Sequence, residues 1–311
     1  MRRDRFRRAV TGASVILTLG LATIAGCQPD ETGPPSVDEL LRQTGIWQRP
    51  TLRIGVAANE PLIGEIKEGV RSGFDVEIAR YLARSLGYTN ESDVEFVTVR
   101  TDERIRFLLA GHVDIVVASL SYTEDRAKLI GMAGPYFVTN QAFLVPKASA
   151  PTLRTEDDFK EKKVKVCTSG SSTTEDELTR RGFDRSVVQD LQDCADGMLS
   201  GEYGAMSSDK TILAGYYSQH PQDFAYVQLP FGADERLHVG VSINDEALRD
   251  LVAYFLKKSY DEGRETGTSP WLTAYNNTLG AWYLADVDEI SQPEPLDVPD
   301  LVDHDDKVSP R

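Results

Sequence analysis

The chain has 311 residues, of which 41% are hydrophobic and 27% are charged, and its formal net charge at neutral pH is −15. This composition is typical of a globular protein and excludes the fibrous and disordered classes. The excess of acidic residues does not suit nucleic acid or anionic lipid as a partner, because both are polyanions. A site for an anionic ligand therefore needs positive charge placed locally.

The N-terminus has the pattern of an export signal. A basic patch, MRRDRFRR, precedes an uncharged run over residues 9–26, as in the n- and h-regions of a signal peptide. The sequence IAGC at 24–27 resembles a bacterial lipobox, which predicts lipidation of Cys27. An uncleaved membrane anchor is the alternative, since 18 uncharged residues can just span a bilayer. Either interpretation places the body outside the cytoplasm, and cleavage before Cys27 takes the net charge to −19.

Short apolar runs alternate with amphipathic patterns through the middle of the chain, which predicts an α/β fold. The predicted elements are strand 51–58, helix 73–88, strand 94–99, helix 101–111, strand 113–118, helix 123–133, strand 142–146, strand 163–168, helix 173–182, strand 205–208, helix 210–220, strands 225–229 and 236–243, and helix 245–263. The series restarts after the seventh element and returns late in the chain. This pattern predicts two α/β lobes, with the chain crossing between them twice.

The composition also predicts the domain boundaries. The predicted segments are a lipoprotein signal peptide at 1–26, a tether at 27–50, a discontinuous first lobe at 51–146 and 233–284, a second lobe at 147–232, and a tail at 285–311. The tail is acidic and contains prolines, so we expect it to be disordered.

The first candidate site is the segment SLSYTEDR, at the end of a buried strand. Ser119 and Ser121 follow the apolar run, and Thr123 is a credible N-cap for a helix whose first turn contains Arg126. A cation is disfavoured at a helix N-terminus, so this position indicates a clamp on a carboxylate ligand. The alternative is an ordinary ion pair with a nearby acid such as Glu124 or with a distant carboxylate.

The second candidate site, TDER, repeats the form of the first, with a threonine cap, two acids and an arginine. Thr101 and Arg104 occupy the first and last positions of this segment, again just after a predicted strand. Two arginines at adjacent strand ends suit a ligand with two carboxylates. The alternative for Arg104 is a surface salt bridge along its own helix, which contributes little.

Two further candidates lie in the second series of strands. The hydroxyl-rich turn CTSGSSTT places Ser172 and Thr173 at a helix N-terminus, where N–H donors can meet an anion. Asp209 follows another strand and is either an N-cap or an acceptor for an ammonium group. Two arginines with one aspartate complement an acidic α-amino acid.

The cysteines are few. With Cys27 assigned to lipid, Cys167 and Cys194 remain, and an even remainder in an exported chain favours a disulfide. Two buried free thiols are the alternative. No spacing in the sequence fits a zinc or calcium site, so we expect no metal and no cofactor.

These motifs, in this order, resemble the bacterial extracellular solute-binding proteins of family 3, which serve polar amino-acid ABC importers. The resemblance covers about residues 51–284 and is most specific in GFDVEIARYLARSLG, ERIRFLLAGHVDIVVA, SYTEDR and AGPYF. Within the family the chain is most similar to glutamate- and glutamine-binding lipoproteins, in which a cysteine pair matches Cys167 and Cys194. The resemblance implies a periplasmic-binding-protein-like fold of type II, with two lobes joined by a two-strand hinge.

The resemblance also implies roles for the candidate residues. Arg126 would hold the ligand α-carboxylate beside Ser121, with Thr173 adding a contact from the second lobe. The remaining implied roles are the α-ammonium acceptor, Asp209, and the readers of a side-chain carboxylate, Thr101, Arg104 and Ser119. The chain departs from the family after its first strand, where only Ala57, Ala58 and Asn59 are available, and at Ser171, which replaces a glycine.

The expected function is therefore an extracytoplasmic receptor, anchored to the membrane by lipid only, that delivers an acidic amino acid to an ABC permease by hinge closure. The receptor is expected to be a monomer and to bind no nucleic acid. One alternative is a sensor with the same fold that signals to a membrane partner, and another is a glutamine-preferring receptor. An enzyme is disfavoured because none of the four histidines neighbours an obvious nucleophile with an orienting acid.

Overall fold

A computed structural model describes residues 33–283 and 290–303. The predicted signal peptide and Cys27 lie outside these residues. The described residues from Pro34 onward belong to one compact unit. In this part of the chain no helix is both long enough and apolar enough to cross a membrane.

The described residues form eleven strands and ten α-helices. The strands are β1 (Leu52–Val56), β2 (Asn59–Glu60), β3 (Gly64–Lys67), β4 (Val70–Ser72), β5 (Val94–Thr98), β6 (Ile115–Ser121), β7 (Ile130–Pro146), β8 (Val166–Ser169), β9 (Arg185–Val188), β10 (Ala205–Asp209) and β11 (Phe224–Ser242). The helices are α1 (Val37–Leu41), α2 (Phe74–Ser85), α3 (Arg104–Leu109), α4 (Glu124–Ala127), α5 (Glu156–Glu161), α6 (Thr173–Arg181), α7 (Leu191–Ser200), α8 (Lys210–Gln219), α9 (Glu246–Thr266) and α10 (Pro270–Asn277).

The main sheet has eight strands in the order β5-β1-β6-β11-β7-β10-β8-β9, and β2, β3 and β4 form a small separate sheet. β1 lies parallel to β5 and β6, and β8 lies parallel to β9 and β10. β11 runs antiparallel to β6 and β7, and β10 runs antiparallel to β7. The long strands β7 and β11 therefore belong to both halves of the sheet. They join two α/β lobes, as the sequence predicted.

The pairing of β7 with β11 is irregular in the middle. The register shifts on both sides of Phe231, which lies opposite Gln141. Such irregularities locally disrupt the ladder and bend a strand. They fall where the two strands pass from one lobe to the other, which is the expected position of the hinge.

Each lobe has its own aromatic cluster. In the first lobe the ring of Phe74 lies edge-on to those of Phe137, at 5.4 Å, and Trp271, at 5.7 Å. In the second lobe the rings of Phe143 and Phe231 lie 4.6 Å apart. Aromatic pairs in such geometries contribute about 0.5–1.5 kcal/mol beyond their burial, so this packing stabilises each lobe from within.

The predicted disulfide is present. Cys167 in β8 is bonded to Cys194 in α7, and both residues are fully buried. Closing a loop of this length stabilises a fold by about 3–4 kcal/mol in the chain-entropy model. The bond fixes α7 against the sheet of the second lobe.

The predicted helix at 123–133 is wrong beyond its first turn. Helix α4 ends at Ala127, and β7 begins at Ile130, which pairs with Ser242 of β11. The apolar run here is buried in the sheet, and Gly131, Gly134 and Pro135 all oppose a helix. The periodicity of the run was ambiguous, and its place in the sheet decided the outcome.

The predicted tether at 27–50 is folded from Ser36 onward. A capping box formed by Ser36 and Glu39 starts α1. Val37, Leu41 and Ile46 are buried in the core. Their apolar area offsets the entropy lost on ordering, and so this segment belongs to the body of the protein.

The predicted disorder at 285–311 does not hold for residues 290–303. Leu296 pairs with Gly134 of β7, and Val302 pairs with Ser36. The apolar side chains of this segment pack on the core: Ile290, Val298 and Leu301. The prediction of disorder was based on the acidic composition, to which these few apolar positions contribute little. We call residues 290–303 the C-terminal strap.

Gln292 anchors the strap, and its replacement by alanine is expected to destabilise the protein by about 2 kcal/mol. Its amide accepts a hydrogen bond from Ser259 Oγ (2.9 Å) and donates one to the Leu256 carbonyl (2.8 Å), both buried. Removal leaves these groups without their partner, which costs about 1–3 kcal/mol. Urea denaturation of Gln292→Ala measures the loss, with Gln222→Ala at an exposed position as the control. Equal stability of the two variants would show that the strap is not held by this residue.

Candidate functional site

The candidate residues converge where the two lobes face each other. Arg126 follows β6 in the first lobe and donates a hydrogen bond from Nη2 to the carbonyl of Ser171 in the second lobe, at 3.1 Å. Asp209, at the end of β10, acts electrostatically on both Arg104 and Arg126. The strand ends of both lobes therefore meet at one cleft, as expected for open α/β sheets.

Arg126 forms no ion pair with any described carboxylate. Its Nη1 donates to the Ser121 carbonyl at 2.8 Å, and its backbone N–H donates to Thr123 Oγ1 at 3.1 Å, which confirms the threonine cap. The nearby Asp125 pairs with Lys128 instead. Burial, together with the charge of Arg104, lowers the pKa of Arg126 to about 10. The alternative of a local ion pair for this arginine is therefore wrong.

Arg104 is 7% exposed and has no ion pair among the described residues. Its Nε donates to the Thr101 carbonyl at 3.1 Å, and its Nη1 donates to the carbonyls of Ala118 and Ser119, each at 2.9 Å. The acids of the TDER segment pair with Arg100 and Arg106. A salt bridge along the helix is thus excluded for Arg104 within this segment.

The predicted cap at Thr101 is wrong, because α3 begins later than expected. The N-cap of α3 is Glu103, which makes no side-chain capping bond, and Arg104 is the first helical residue. Thr101 supplies its carbonyl to Arg104 and lines a cavity between the lobes. TDER and TEDR therefore look alike in sequence and differ in structure.

The predicted serines make different contacts. Ser119 has φ of 45°, a conformation that is rare outside glycine. Its N–H (2.7 Å) and Oγ (3.2 Å) both donate to Asp75, which also accepts a hydrogen bond from Tyr136 OH at 2.9 Å. Burial raises the pKa of Asp75 to about 6 in spite of these bonds. The hydroxyl of Ser119 is thus occupied, whereas Ser121 contributes the carbonyl that orients Arg126.

Ser172 and Thr173 begin α6. Ser172 is the N-cap, and its Oγ accepts a hydrogen bond from the Glu175 N–H at 3.0 Å and donates one to the Ser169 carbonyl at 2.8 Å. Thr173 Oγ1 accepts a hydrogen bond from Gln141 Nε2 at 3.3 Å. The hydroxyl of Ser172 serves the turn, while Thr173 faces the hinge strand β7.

Asp209 is buried, and its carboxylate does not cap α8, although the residue occupies the N-cap position. Burial and the charge of Glu235 raise its pKa well above the usual range, while Arg104 and Arg126 oppose the rise. No described cation lies within ion-pair distance of this carboxylate. It therefore presents acceptor capacity to the cleft, which favours the ammonium-acceptor interpretation over the capping one.

Three polar residues of the cleft were missed by the sequence analysis. Gln141 Nε2 donates to Glu235 Oε1 at 2.7 Å, and Gln141 Oε1 is buried without a partner. Glu60 Oε2 is also buried without a hydrogen bond, and burial raises the pKa of this carboxyl from 4.5 to about 7. Glu60 lies one residue beyond Ala57, Ala58 and Asn59, the positions after the first strand that were weighed as ligand contacts. The other two are separated by some 90 residues, and no local pattern joins them.

The lobes contact each other around this cleft. Tyr216 OH of α8 donates to the Asn59 carbonyl at 2.7 Å, and Asn59 Nδ2 donates to the carboxylate of Asp190. A cavity of about 40 Å³, lined in part by Glu60, Thr101 and Asp190, lies between the lobes. The described structure is therefore a closed arrangement.

The cleft combines cations and anions that do not neutralise one another in pairs. Its charged side chains are Arg104, Arg126, Glu60, Asp75, Asp209 and Glu235. Within the described residues, no three His, Cys, Asp or Glu side chains are placed to hold a metal ion. Guanidiniums that lack carboxylates and a carboxylate that lacks a cation together complement a zwitterion. The fold and the site thus define a two-lobed amino-acid-binding receptor.

Residues 52–269 match the sequence profile of the bacterial extracellular solute-binding proteins, family 3. The chain therefore belongs to this family.

Its relatives include receptors for several amino acids. The chain is 26% identical over 270 residues to the glutamate-binding protein GluB of Corynebacterium efficiens, covering 83% of this chain and 88% of that one. It is 28% identical over 263 residues to the ABC transporter glutamine-binding protein GlnH of Bacillus subtilis, covering 83% and 94%. Among solved structures, an ancestral arginine-binding protein bound to glutamine superimposes with a TM-score of 0.65 at 26% identity, covering 75% and 99%.

Glu60→Gln is expected to stabilise the ligand-free protein at pH 8 and to leave its stability unchanged at pH 4. The folded-state pKa of Glu60, about 7, lies above its usual 4.5, so ionisation costs folding energy as pH rises through this window. The variant removes a cost of about 2–3 kcal/mol at pH 8. Urea denaturation at both pH values measures it.

The control is Glu65→Gln in the neighbouring strand β3, where the carboxylate pairs with Lys67 at 2.7 Å. This variant should show no gain at pH 8. Equal stability of wild type and Glu60→Gln at pH 8 would show that Glu60 is solvated in the ligand-free protein.

Proposed function

We propose that the protein is an extracytoplasmic lipoprotein, anchored through Cys27, that binds an acidic amino acid between its lobes and delivers it to an ABC permease. The observation that carries this proposal is the pair of inward guanidiniums, Arg126 and Arg104, which have no ion-pair partner among the described residues. An uncompensated buried charge is costly, and a carboxylate ligand removes that cost. Two such groups fit glutamate or aspartate.

The roles that we propose are those that the family resemblance implies. Arg126 binds the α-carboxylate, Asp209 accepts the α-ammonium group, and Arg104 binds the side-chain carboxylate. Ser121 orients Arg126 through its carbonyl, and Thr173 closes the site from the second lobe. Charge-assisted hydrogen bonds of this kind contribute about 1.5–3 kcal/mol each.

Hinge closure couples binding to delivery. Arg126 and Arg104 belong to the first lobe and Asp209 to the second, so a ligand held by all three stabilises the closed state over the open one. The closed surface is then what the permease recognises, and binding proceeds without turnover.

A glutamine-preferring receptor is the second candidate. Glu60 favours it, since an unpartnered carboxylate oxygen near Arg104 is an acceptor for an amide N–H. The relative from Bacillus subtilis, named a glutamine-binding protein, is in line with this candidate.

Arg126→Ala is expected to weaken glutamate binding by about 3–5 kcal/mol, because the ligand α-carboxylate is left in the cleft without its partner. This corresponds to a loss of more than a hundredfold. Calorimetric titration of the full-length chain, purified in mild detergent and dialysed free of ligand, measures it. The matched control is Arg106→Ala, an exposed arginine that pairs with Glu103 and Asp102 outside the cleft. A loss of less than threefold in Arg126→Ala would refute its role.

Arg104→Ala is expected to abolish the preference for acidic ligands. Wild type should bind glutamate and aspartate more tightly than glutamine and asparagine, and the variant should bind an acid and its amide within about threefold, since the lost contact belongs to the side-chain carboxylate alone. The same titrations, run with all four amino acids, test this. Tighter binding of glutamine by wild type would establish the second candidate instead.

A further inference from the structure

Glu60 is a half-buried residue that has no part in the acidic-ligand roles proposed above. It ends β2, directly after Asn59, whose side chain and carbonyl contact the second lobe. Its Oε2 is shielded from solvent and makes no hydrogen bond. It lines the cavity between the lobes together with Thr101 and Ser169. A group of this kind at a ligand cleft has capacity for a bond that the protein itself does not supply.

The surroundings of Glu60 are charged on several sides. The groups that act on it or respond to it are Arg104 of α3, Asp75 of α2, Asp190 at the start of α7, Asp209 of β10 and Tyr216 of α8. Burial raises its pKa most strongly, Arg104 opposes the rise, and the negative charges of Asp75 and Asp190 add to it. Glu60 therefore changes its charge near neutral pH.

Its position relative to the two arginines is specific. Glu60 and Thr101 line the same cavity, and the carbonyl of Thr101 accepts a hydrogen bond from Arg104 Nε at 3.1 Å. Glu60 thus lies at the Arg104 end of the cleft. A ligand whose α-carboxylate is on Arg126 and whose side chain extends to Arg104 brings the end of that side chain to Glu60.

We propose that Glu60 contacts the end of the ligand side chain and that its protonation state selects between a carboxylate and an amide at that position. This inference rests on the proposed amino-acid-binding function. As a neutral carboxyl it donates a hydrogen bond to the side-chain carboxylate of glutamate. As a carboxylate it accepts one from the amide N–H of glutamine.

The charge balance explains why the proton matters. The carboxyl groups of the cleft already outnumber its guanidiniums, so a glutamate side chain beside ionised Glu60 places two anions on Arg104 alone. Two carboxylates that share a site keep one proton between them. Glutamate binding therefore takes one proton from solvent when the free protein holds Glu60 ionised, and glutamine binding takes none.

The sign of the pH dependence follows. Bound glutamate raises the affinity of Glu60 for its proton, so glutamate affinity falls by up to about tenfold for each pH unit above the pKa that Glu60 has in the ligand-free protein. In the closed arrangement this pKa is about 7. Bound glutamine favours the ionised form, so its affinity does not fall over that range. The preference of the receptor shifts from acid to amide as pH rises.

The experiment is calorimetric titration of the full-length chain with glutamate and with glutamine at pH 6, 7 and 8. Each titration is repeated in two buffers of different ionisation enthalpy to count protons. Wild type should take up close to one proton per glutamate at pH 8 and lose up to about tenfold in glutamate affinity from pH 7 to pH 8. Glu60→Gln should take up none, should bind glutamate equally at pH 7 and pH 8, and should exceed wild type at pH 8. Glu65→Gln should match wild type throughout.

The outcomes separate the two proposals. Wild type that binds glutamate with no proton uptake and no fall in affinity overturns the role of Glu60 and leaves the proposed function standing. A pH dependence that persists unchanged in Glu60→Gln does the same, since another group then carries it. Wild type that binds neither amino acid at any pH overturns the proposed function and, with it, this inference.

Discussion

Two arginine side chains lie between the lobes with no carboxylate in ion-pair contact among the described residues, and the rest of the site is arranged around that fact. Arg104 and Arg126 are held by backbone carbonyls, which orient a guanidinium without cancelling its charge. Their positive charge acts on the carboxyl groups nearby across the cleft and not through ion pairs. The protein folds with this cluster in place, although its guanidiniums lack carboxylates and Asp209 lacks a cation. A zwitterionic ligand supplies both kinds of partner.

The path of the chain provides a hinge between the two lobes that carry these residues. Because β7 and β11 run through both lobes, each lobe keeps its own packed cluster while the strand pair between them is irregular around Phe231. Polar contacts between the lobes include those of Arg126 with Ser171 and of Tyr216 with Asn59, and the buried apolar cluster of the first lobe continues into the second. A ligand with bonds to both lobes adds to these contacts only in the closed state, so it raises the population of that state.

Much of the fold and of the candidate site could be predicted from the sequence, and the predictions that were wrong have specific physical causes. The alternation of strands and helices and the polar strand ends follow from patterns within ten or fifteen residues. The two crossings follow from the order of the elements along the chain, and the disulfide, whose cysteines are 27 residues apart, follows from the cysteine count of an exported chain. The helix at 123–133 failed because an apolar run beside glycines fits a strand as well as a helix, and only its pairing with β11 decides. Elements without a strong pattern, such as α5, α7 and β9, were missed altogether. Gln141 and Glu235 form one contact from opposite hinge strands, which no spacing predicts. The folded state of the strap was not predicted, because the three apolar residues that pack on the core do not change the acidic composition of the tail.

The disulfide has a consequence for the energetics of closure. Cys167 lies in the strand that leads to Ser171, the acceptor of Arg126, and Cys194 lies in the helix whose first turn follows Asp190, the acceptor of Asn59. One covalent bond therefore joins the two segments of the second lobe that accept hydrogen bonds from the first lobe. That receiving face is preorganised: its shape is already fixed in the folded chain, so docking does not require its conformational entropy to be lost at the moment of binding. In a reducing medium this face would lose that covalent constraint, and each closure would have to order it at the cost of conformational entropy.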